Sequence, residues 1–236
     1  MNNRKIIVLA IITARKNSKG IKNKNIKKLN NKPLIQYTFE SANNSKLITD
    51  IIVSTDSNKI IELSKKFGIE APFKRPANLS TSKASSLDVI DHALNWFEKN
   101  KKTKVDYIVL LQPTSPLRSN DHIDQSIKKI LKEKYSHSLI SCYDASHVHP
   151  SIMYSQKNDK LIKYEKEKSN KRRQDFKKLF IRNGAIYVVK RDYFKQEKQI
   201  ICNNPILYKM KRDESINIDE SIDFDIAELI LKKNEI

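Results

Sequence analysis

Residues 12–25, ITARKNSKGIKNKN, leave an apolar run and at once carry Arg15, Lys19, Lys22 and Lys24 around one glycine, Gly20. A turn of this kind can hold a polyphosphate through backbone N–H groups and ammonium charges. It is not a Walker A loop. That motif needs a glycine followed by Lys and Ser or Thr, whereas Gly20 precedes Ile21, and three glycines in the whole chain leave no room for a dinucleotide fingerprint. A second candidate is LLQPTSPLR, residues 110–118, where Pro113 and Pro116 stiffen the exit from an apolar run. Fixed φ angles there hold Gln112, Thr114, Ser115 and Arg118 in defined positions. A third, FKRPANLSTSKASS at residues 73–86, offers Arg75, whose guanidinium can meet a pyrimidine carbonyl or a phosphate with two hydrogen bonds. Ser82, Ser85 or Ser86 can cap the helix that follows. The fourth is SINIDESIDFD near the C-terminus. Extended backbone would put Ser215, Asn217 and Asp219 on one face and Ile216 and Ile218 on the other. A carboxylate beside an amide oxygen suits a hard cation such as magnesium, although an edge strand running into a capped helix is the plainer reading.

These residues need a scaffold, and the apolar pattern supplies one. Runs of strand length at residues 6–12, 51–54, 107–111, 138–142 and 185–189 alternate with helical spacing at 34–42, 59–67, 87–97 and 123–131. Strands apolar on both faces predict an α/β, mostly parallel sheet covered by helices on both sides, with ligand loops beyond the strands' carboxyl ends. After Pro150 the rhythm changes to short strand-like pieces at 152–154 and 161–164 and a basic stretch, so residues 145–182 read as an insertion in a single domain of 1–236. The chain closes with a helix for which Ser221 or Asp223 is a plausible N-cap.

Composition narrows the function classes. The 236 residues contain 46 Lys and Arg against 27 Asp and Glu, a formal charge of +19, which favours an acidic partner. Nucleic acid is the obvious rival, but the nine tyrosines and eight phenylalanines fall mostly within apolar runs and no binding motif appears. No run is long enough to cross a membrane, and the apolar N-terminal stretch reads as a buried strand and not as a leader. Two distant cysteines, Cys142 and Cys202, fit neither a zinc site nor a disulfide scaffold, so a reducing cytoplasm is expected.

Taken in order, ARKNSKG, Lys24–Asn25, KPLI, IIVSTD, RPANLS, ASS, LLQPTSPLR, RRQD, NGAIY and IDESIDF resemble the CMP-sialic acid synthetase family, the acylneuraminate cytidylyltransferases. The resemblance spans nearly the whole chain. It implies a doubly wound, nucleotide-diphospho-sugar transferase-like fold and a homodimer made partly through the 145–182 insertion. The implied reaction is transfer of CMP from CTP to a nine-carbon α-keto acid, N-acetylneuraminate or legionaminate, with pseudaminate or Kdo as rival acceptors and magnesium as cofactor. Arg15, Lys24 and Asp219 would then be catalytic. Ala14, Ser18, Lys19, Asn25, Arg75, Ala84 and Ser86 would bind the nucleotide, Gln112, Arg173, Gln174 and Asn183 the acceptor, and Asp219 with Asn217 the metal. Two positions depart from the family pattern. Asn217 stands where a second carboxylate is usual, which predicts a higher magnesium requirement or a weakened, CTP-binding relative. Ile181 stands where an arginine is usual; Arg182 follows it, so either a bulge re-aims Arg182 or one contact is missing.

Overall fold

The computed structural model describes residues 4–17, 20–164 and 178–234. Its core is a six-stranded sheet built from Val8–Ala14 (β1), Asp50–Thr55 (β4), Tyr107–Leu111 (β5), Ser138–Asp144 (β6), Phe180–Lys190 (β9) and Ile206–Lys209 (β10). Between β1 and β4 lie two two-residue strands, Lys28–Leu29 (β2) and Lys32–Pro33 (β3), and the helix Leu34–Asn43 (α1). The spatial order is β10-β6-β9-β5-β1-β4, parallel throughout except for β9, which runs antiparallel to both β5 and β6.

Alternation along β1 explains the layers. Val8, Ala10 and Ile12 join a cluster that includes Ile35 and Phe39 of α1 and Ile123, Ile127 and Ile130 of Asn120–Leu131 (α4), with Ile60 of Asn58–Lys66 (α2). Leu9 and Ile11 point the other way, to Ile90, Leu94 and Phe97 of Ser86–Lys101 (α3) and to Phe194 of Arg191–Glu197 (α5). With both faces covered, each large aliphatic side chain withdrawn from water contributes about 1.5–3 kcal/mol before ordering costs.

The expected strands and helices are present with small changes of boundary. The first strand lies at 8–14, two residues later than its apolar pattern suggests, because the residues before it are held by the Asp106 side chain, which accepts from Ile7 N–H at 2.8 Å and from the Arg4 guanidinium at 3.0 Å. Helix α3 begins at Ser86 because Ser85 accepts from Leu87 N–H at 3.1 Å. The short β10 and α5 carry too few apolar residues for a periodic signal and were not anticipated. Ser215–Asp219 is not a ladder strand: residues 213–215 form a 3-10 turn and the rest is an extended strap. Closing the chain is Ser221–Asn234 (α6), where Asp223 accepts from both Asp219 and Glu220 N–H (2.8 and 2.7 Å), reaching back over the start of the helix and not capping it from outside.

Within 145–182, two 3-10 turns lead to an exposed hairpin, Tyr154–Lys157 (β7) and Lys160–Lys163 (β8), and residues 180–182 already pair with β6. The rejoining point therefore lies a few residues earlier than the pattern suggested. Between Ile140↔Tyr187 and Cys142↔Arg182 the register shifts, so Asn183–Ile186 form a bulge on β9.

Helix α4 carries a pH-sensitive cap. Ser119 accepts from His122 N–H (3.3 Å), while His122 Nδ1 accepts from Ser119 N–H (3.2 Å) and Nε2 lies 3.4 Å from Glu214. Burial, opposed by Glu214 and assisted by Arg118, pushes the imidazole below its ordinary 6.5. Because the folded state resists protonation, the stability this group contributes is present above about pH 6.5 and lost as pH falls below it. Urea unfolding at pH 7.5 and pH 5.0 is expected to show this loss, and His122→Gln, which keeps a side-chain acceptor at the cap but does not titrate, to diminish it.

Candidate active site

Three neighbouring strands, β4, β1 and β5, end at the same rim of the sheet, and the segments that follow them form two adjoining clefts. The larger, about 580 Å³, is lined by Lys24, Asn25, Gln112, Thr114, Asn217 and Asp219 among others. The smaller, about 300 Å³, is lined by Arg75, Thr81, Ala84 and Ser86 among others. Thr13 and Arg15 line both. Arg15 thus stands at the junction, and its Nη1 donates to Thr81 O at 3.4 Å.

The opening loop is closed by its own backbone. Asn25 Nδ2 donates to Arg15 O (3.0 Å), and Lys16 N–H donates to Asp56 at the exit of β4 (2.6 Å). Asn23 takes a left-handed φ of 55°, which turns Lys24 and Asn25 inward so that both are buried. Lys24 Nζ then donates to Ile218 O (2.6 Å) and pairs with Asp219 Oδ1 (3.1 Å). The strap is fixed from the other side too: Ile218 N–H donates to Thr114 O at 2.7 Å, and the Ile218 side chain is buried with Leu29, Leu34 and Phe224. A Cβ on Gly20 would stand 2.7 Å from Asp219 O, so the loop's single glycine is a packing requirement where it meets the strap. Asp219 keeps 68% of its side chain exposed and faces the cleft.

Arg75 is buried beneath the smaller cleft, with Nε donating to Ser54 Oγ (3.0 Å) and Nη2 to Ser54 O. Burial lowers its pKa to about 10, opposed by Asp56 and assisted by Arg15, so it is a cation at neutral pH with donor capacity left over for a ligand. Arg118 is deeper still. Its guanidinium donates to Gln112 O, Ala185 O and Thr38 Oγ1 (3.1, 2.9 and 2.7 Å), and burial lowers its pKa to about 9. It anchors the backbone from which the Gln112 side chain enters the larger cleft.

Most expected site residues that are described here converge. Arg15, Lys24, Asn25, Gln112, Asn217 and Asp219 meet around the larger cleft, and Arg75, Ala84 and Ser86 around the smaller, while Ala14 closes β1 beneath them. Ser18, Lys19, Arg173 and Gln174 lie outside the described residues. Two of the expected residues are bonded within the protein. Asn183 does not line the cleft: it is buried, its Nδ2 donates to Ser215 Oγ and Met210 Sδ, and its Oδ1 accepts from Ser141 Oγ and Ala185 N–H. All its bonding capacity is used in holding the β9 bulge. Asn217 turns its amide nitrogen, not its oxygen, toward Asp219 (Nδ2 to Oδ2, 2.5 Å), so the two do not present paired oxygens to a cation. Arg182, on the exposed start of β9, lies electrostatically close to Cys142 and Tyr187 and is not among the described residues lining either cleft. Sequence reasoning passed over Thr13 and Glu220, which line the larger cleft; their positions next to Ala14 and Asp219 were the available signal.

A parallel sheet with cationic clefts at its carboxyl rim is the architecture of a nucleotide-binding transferase, and the comparison with known proteins is more specific. The chain belongs to the cytidylyltransferase family, whose model matches residues 9–235, and is therefore a nucleotidyltransferase. It is 34% identical over 224 residues to the CMP-N,N'-diacetyllegionaminic acid synthase of Campylobacter jejuni, covering 95% of this chain and 94% of that protein. It is 32% identical over 227 residues to the N-acylneuraminate cytidylyltransferase of Escherichia coli O18:K1:H7, covering 96% of this chain and 52% of that one. In fold it resembles CMP:2-keto-3-deoxy-manno-octonic acid synthetase, solved in complex with CTP, with a TM-score of 0.72 and 14% identity, covering 97% of this chain and 99% of that chain.

The strap and loop give a direct test. Gly20→Ala is expected to displace Asp219 and lower nucleotidyl transfer by about 10²-fold, the scale seen when one charge-stabilising group is misplaced. Steady-state kinetics beside a thermal melt that shifts by no more than a few degrees would check it.

Proposed function

We propose that this protein transfers CMP from CTP to the anomeric hydroxyl of a nine-carbon α-keto acid sugar, N-acetylneuraminate or legionaminate, and releases pyrophosphate. The observation that carries this reading is the convergence of Arg15 and Lys24, from the opening loop, with Arg75, from the segment after β4, on two clefts that share a wall. The smaller cleft suits the cytidine, with Arg75 and the backbone near Ala84 reading the base and Ser86 and Asn25 meeting the ribose. The phosphate chain would cross at Arg15, with Ser18 and Lys19 contributing from the same loop. Gln112 would meet the sugar acid from the far side, and Arg173 and Gln174, from a second copy of the chain, would complete its pocket.

In the reaction, the anomeric oxygen attacks the α-phosphorus in line. The new P–O bond forms as the bond to pyrophosphate breaks, and the hydroxyl proton is lost. Both substrates are anions, so the protein's contribution is mainly to neutralise charge and hold the near-attack geometry. Lys24 serves this twice, as a cation beside the phosphates and as the clamp on Asp219.

Magnesium fits the donors present. Asp219 is an exposed carboxylate with Glu220 next to it, and no group of three or more His, Cys, Asp or Glu able to hold a metal occurs among the described residues. That suits a cation bound by one carboxylate and substrate phosphates more than a protein cage. When bound, magnesium supplies neutralisation of the phosphate oxygens.

We assign a homodimer on the exposed apolar side chains around the hairpin, Ile152, Tyr154, Leu161 and Tyr164, which a second copy would cover. A cytoplasmic location agrees with two free, buried cysteines, and no helix among the described residues is long and apolar enough to cross a membrane.

A pyrophosphate-release screen with CTP, magnesium and several nine-carbon keto acids tests the reaction. Turnover with neuraminate or legionaminate is expected, and Asp219→Ala is expected to abolish it. Tight binding of random oligonucleotides with no pyrophosphate released would overturn the reading.

A further inference from the structure

Asn217 carries an oxygen that nothing among the described residues satisfies. Its Nδ2 donates to Asp219 Oδ2, but its Oδ1 is buried and without a partner. Gly184, on the β9 bulge, explains the surrounding space. Its φ is 75°, in the left-handed region, and a Cβ there would stand 3.0 Å from Gln112 Oε1 and 3.4 Å from Asn217 Oδ1. Two carbonyl oxygens therefore close on Gly184, one from the turn after β5 and one from the strap; its missing side chain lets them approach, and Gln112 and Asn217 both line the larger cleft.

Leaving a buried acceptor such as Asn217 Oδ1 unpaired costs about 1–3 kcal/mol. One donor placed between the two oxygens removes that penalty. Asn217 also suits this position in a way that aspartate does not. A carboxylate at 217 would set two like charges in contact where the amide now donates at 2.5 Å. An amide can steady Asp219 with its nitrogen and still present an acceptor with its oxygen.

We propose that Asn217 is an acceptor-specificity residue: together with Gln112 it binds a hydrogen-bond donor of the sugar acid, a hydroxyl or an acylamino N–H. This rests on the cytidylyltransfer reaction proposed above and assigns Asn217 to the sugar in place of the metal. Sites built to bond a substrate hydroxyl discriminate strongly against analogues without it, because the protein's own polar atoms are then left unpaired.

The test compares wild type with Asn217→Ala. The alanine variant is expected to raise the KM for the sugar acid about tenfold or more while the KM for CTP and the magnesium concentration for half-maximal rate stay within about twofold. Against a panel of deoxy and deacylated acceptors, one analogue is expected to cost wild type as much as the substitution does and to cost Asn217→Ala nothing further. Titration calorimetry of the sugar acid supplies the same comparison without turnover. If Asn217→Ala melts early, Gln112→Ala removes the other oxygen and carries the same expectations. An unchanged acceptor KM with a shifted magnesium requirement would overturn the inference and leave the reaction standing. Absence of turnover by wild type with every nine-carbon acid would overturn both.

Discussion

The buried ammonium of Lys24 joins the two ends of the chain. Its Nζ meets the Ile218 carbonyl and the Asp219 carboxylate, nearly two hundred residues away in sequence, and so ties the opening loop to a strap that the Thr114 carbonyl, Asp223, Asn183 and apolar packing also hold. A charge this far withdrawn from water needs both partners, because leaving it unpaired would cost more than the strap's other contacts return. The left-handed Asn23 that turns Lys24 inward and the bare Gly20 that admits the strap follow from this one contact. The same contact fixes the Asp219 carboxylate at the wall of the larger cleft.

Cations in this molecule divide into two populations with different physics. The lysines on helix surfaces account for much of the +19 formal charge, and several are paired there, as Lys101 is with Glu70 and Lys195 with Asp91. Arg75 and Arg118 are buried on hydroxyl and carbonyl oxygens, their acidity raised by desolvation. Such an arrangement is costly for the isolated protein, and at Arg75, which borders the smaller cleft, an anionic or carbonyl-bearing ligand would relieve it. The net charge therefore reports on the surface, and the placement of a few guanidinium groups reports on function.

Much of this was legible in the chain. Strands buried on both faces announce themselves as continuous apolar runs, so β1, β4, β5 and β6 could be placed within about two residues, and with them the rim where the site must lie. What escaped had physical reasons. A seven-residue helix with one buried side chain, Phe194, and a four-residue edge strand are too short to show a period. Asn183, a polar residue beside a glycine in a strand, reads from sequence as a ligand contact, and the bonds it makes to Ser141, Ala185 and Ser215 at the bulge depend on tertiary structure. Asn217 could be recognised from sequence as an unusual residue, but which end of its amide faces Asp219 depends on the tertiary position of the strap.

The reversed direction of β9 has an architectural effect. Were it parallel to its neighbours, its beginning would lie at the opposite edge of the sheet from the clefts. Running backwards, it starts at the catalytic edge, so the excursion that leaves after β6 returns on the side from which it departed. An excursion that leaves and returns at one end of the sheet can change in length before Phe180 without shifting the register of the six-stranded ladder.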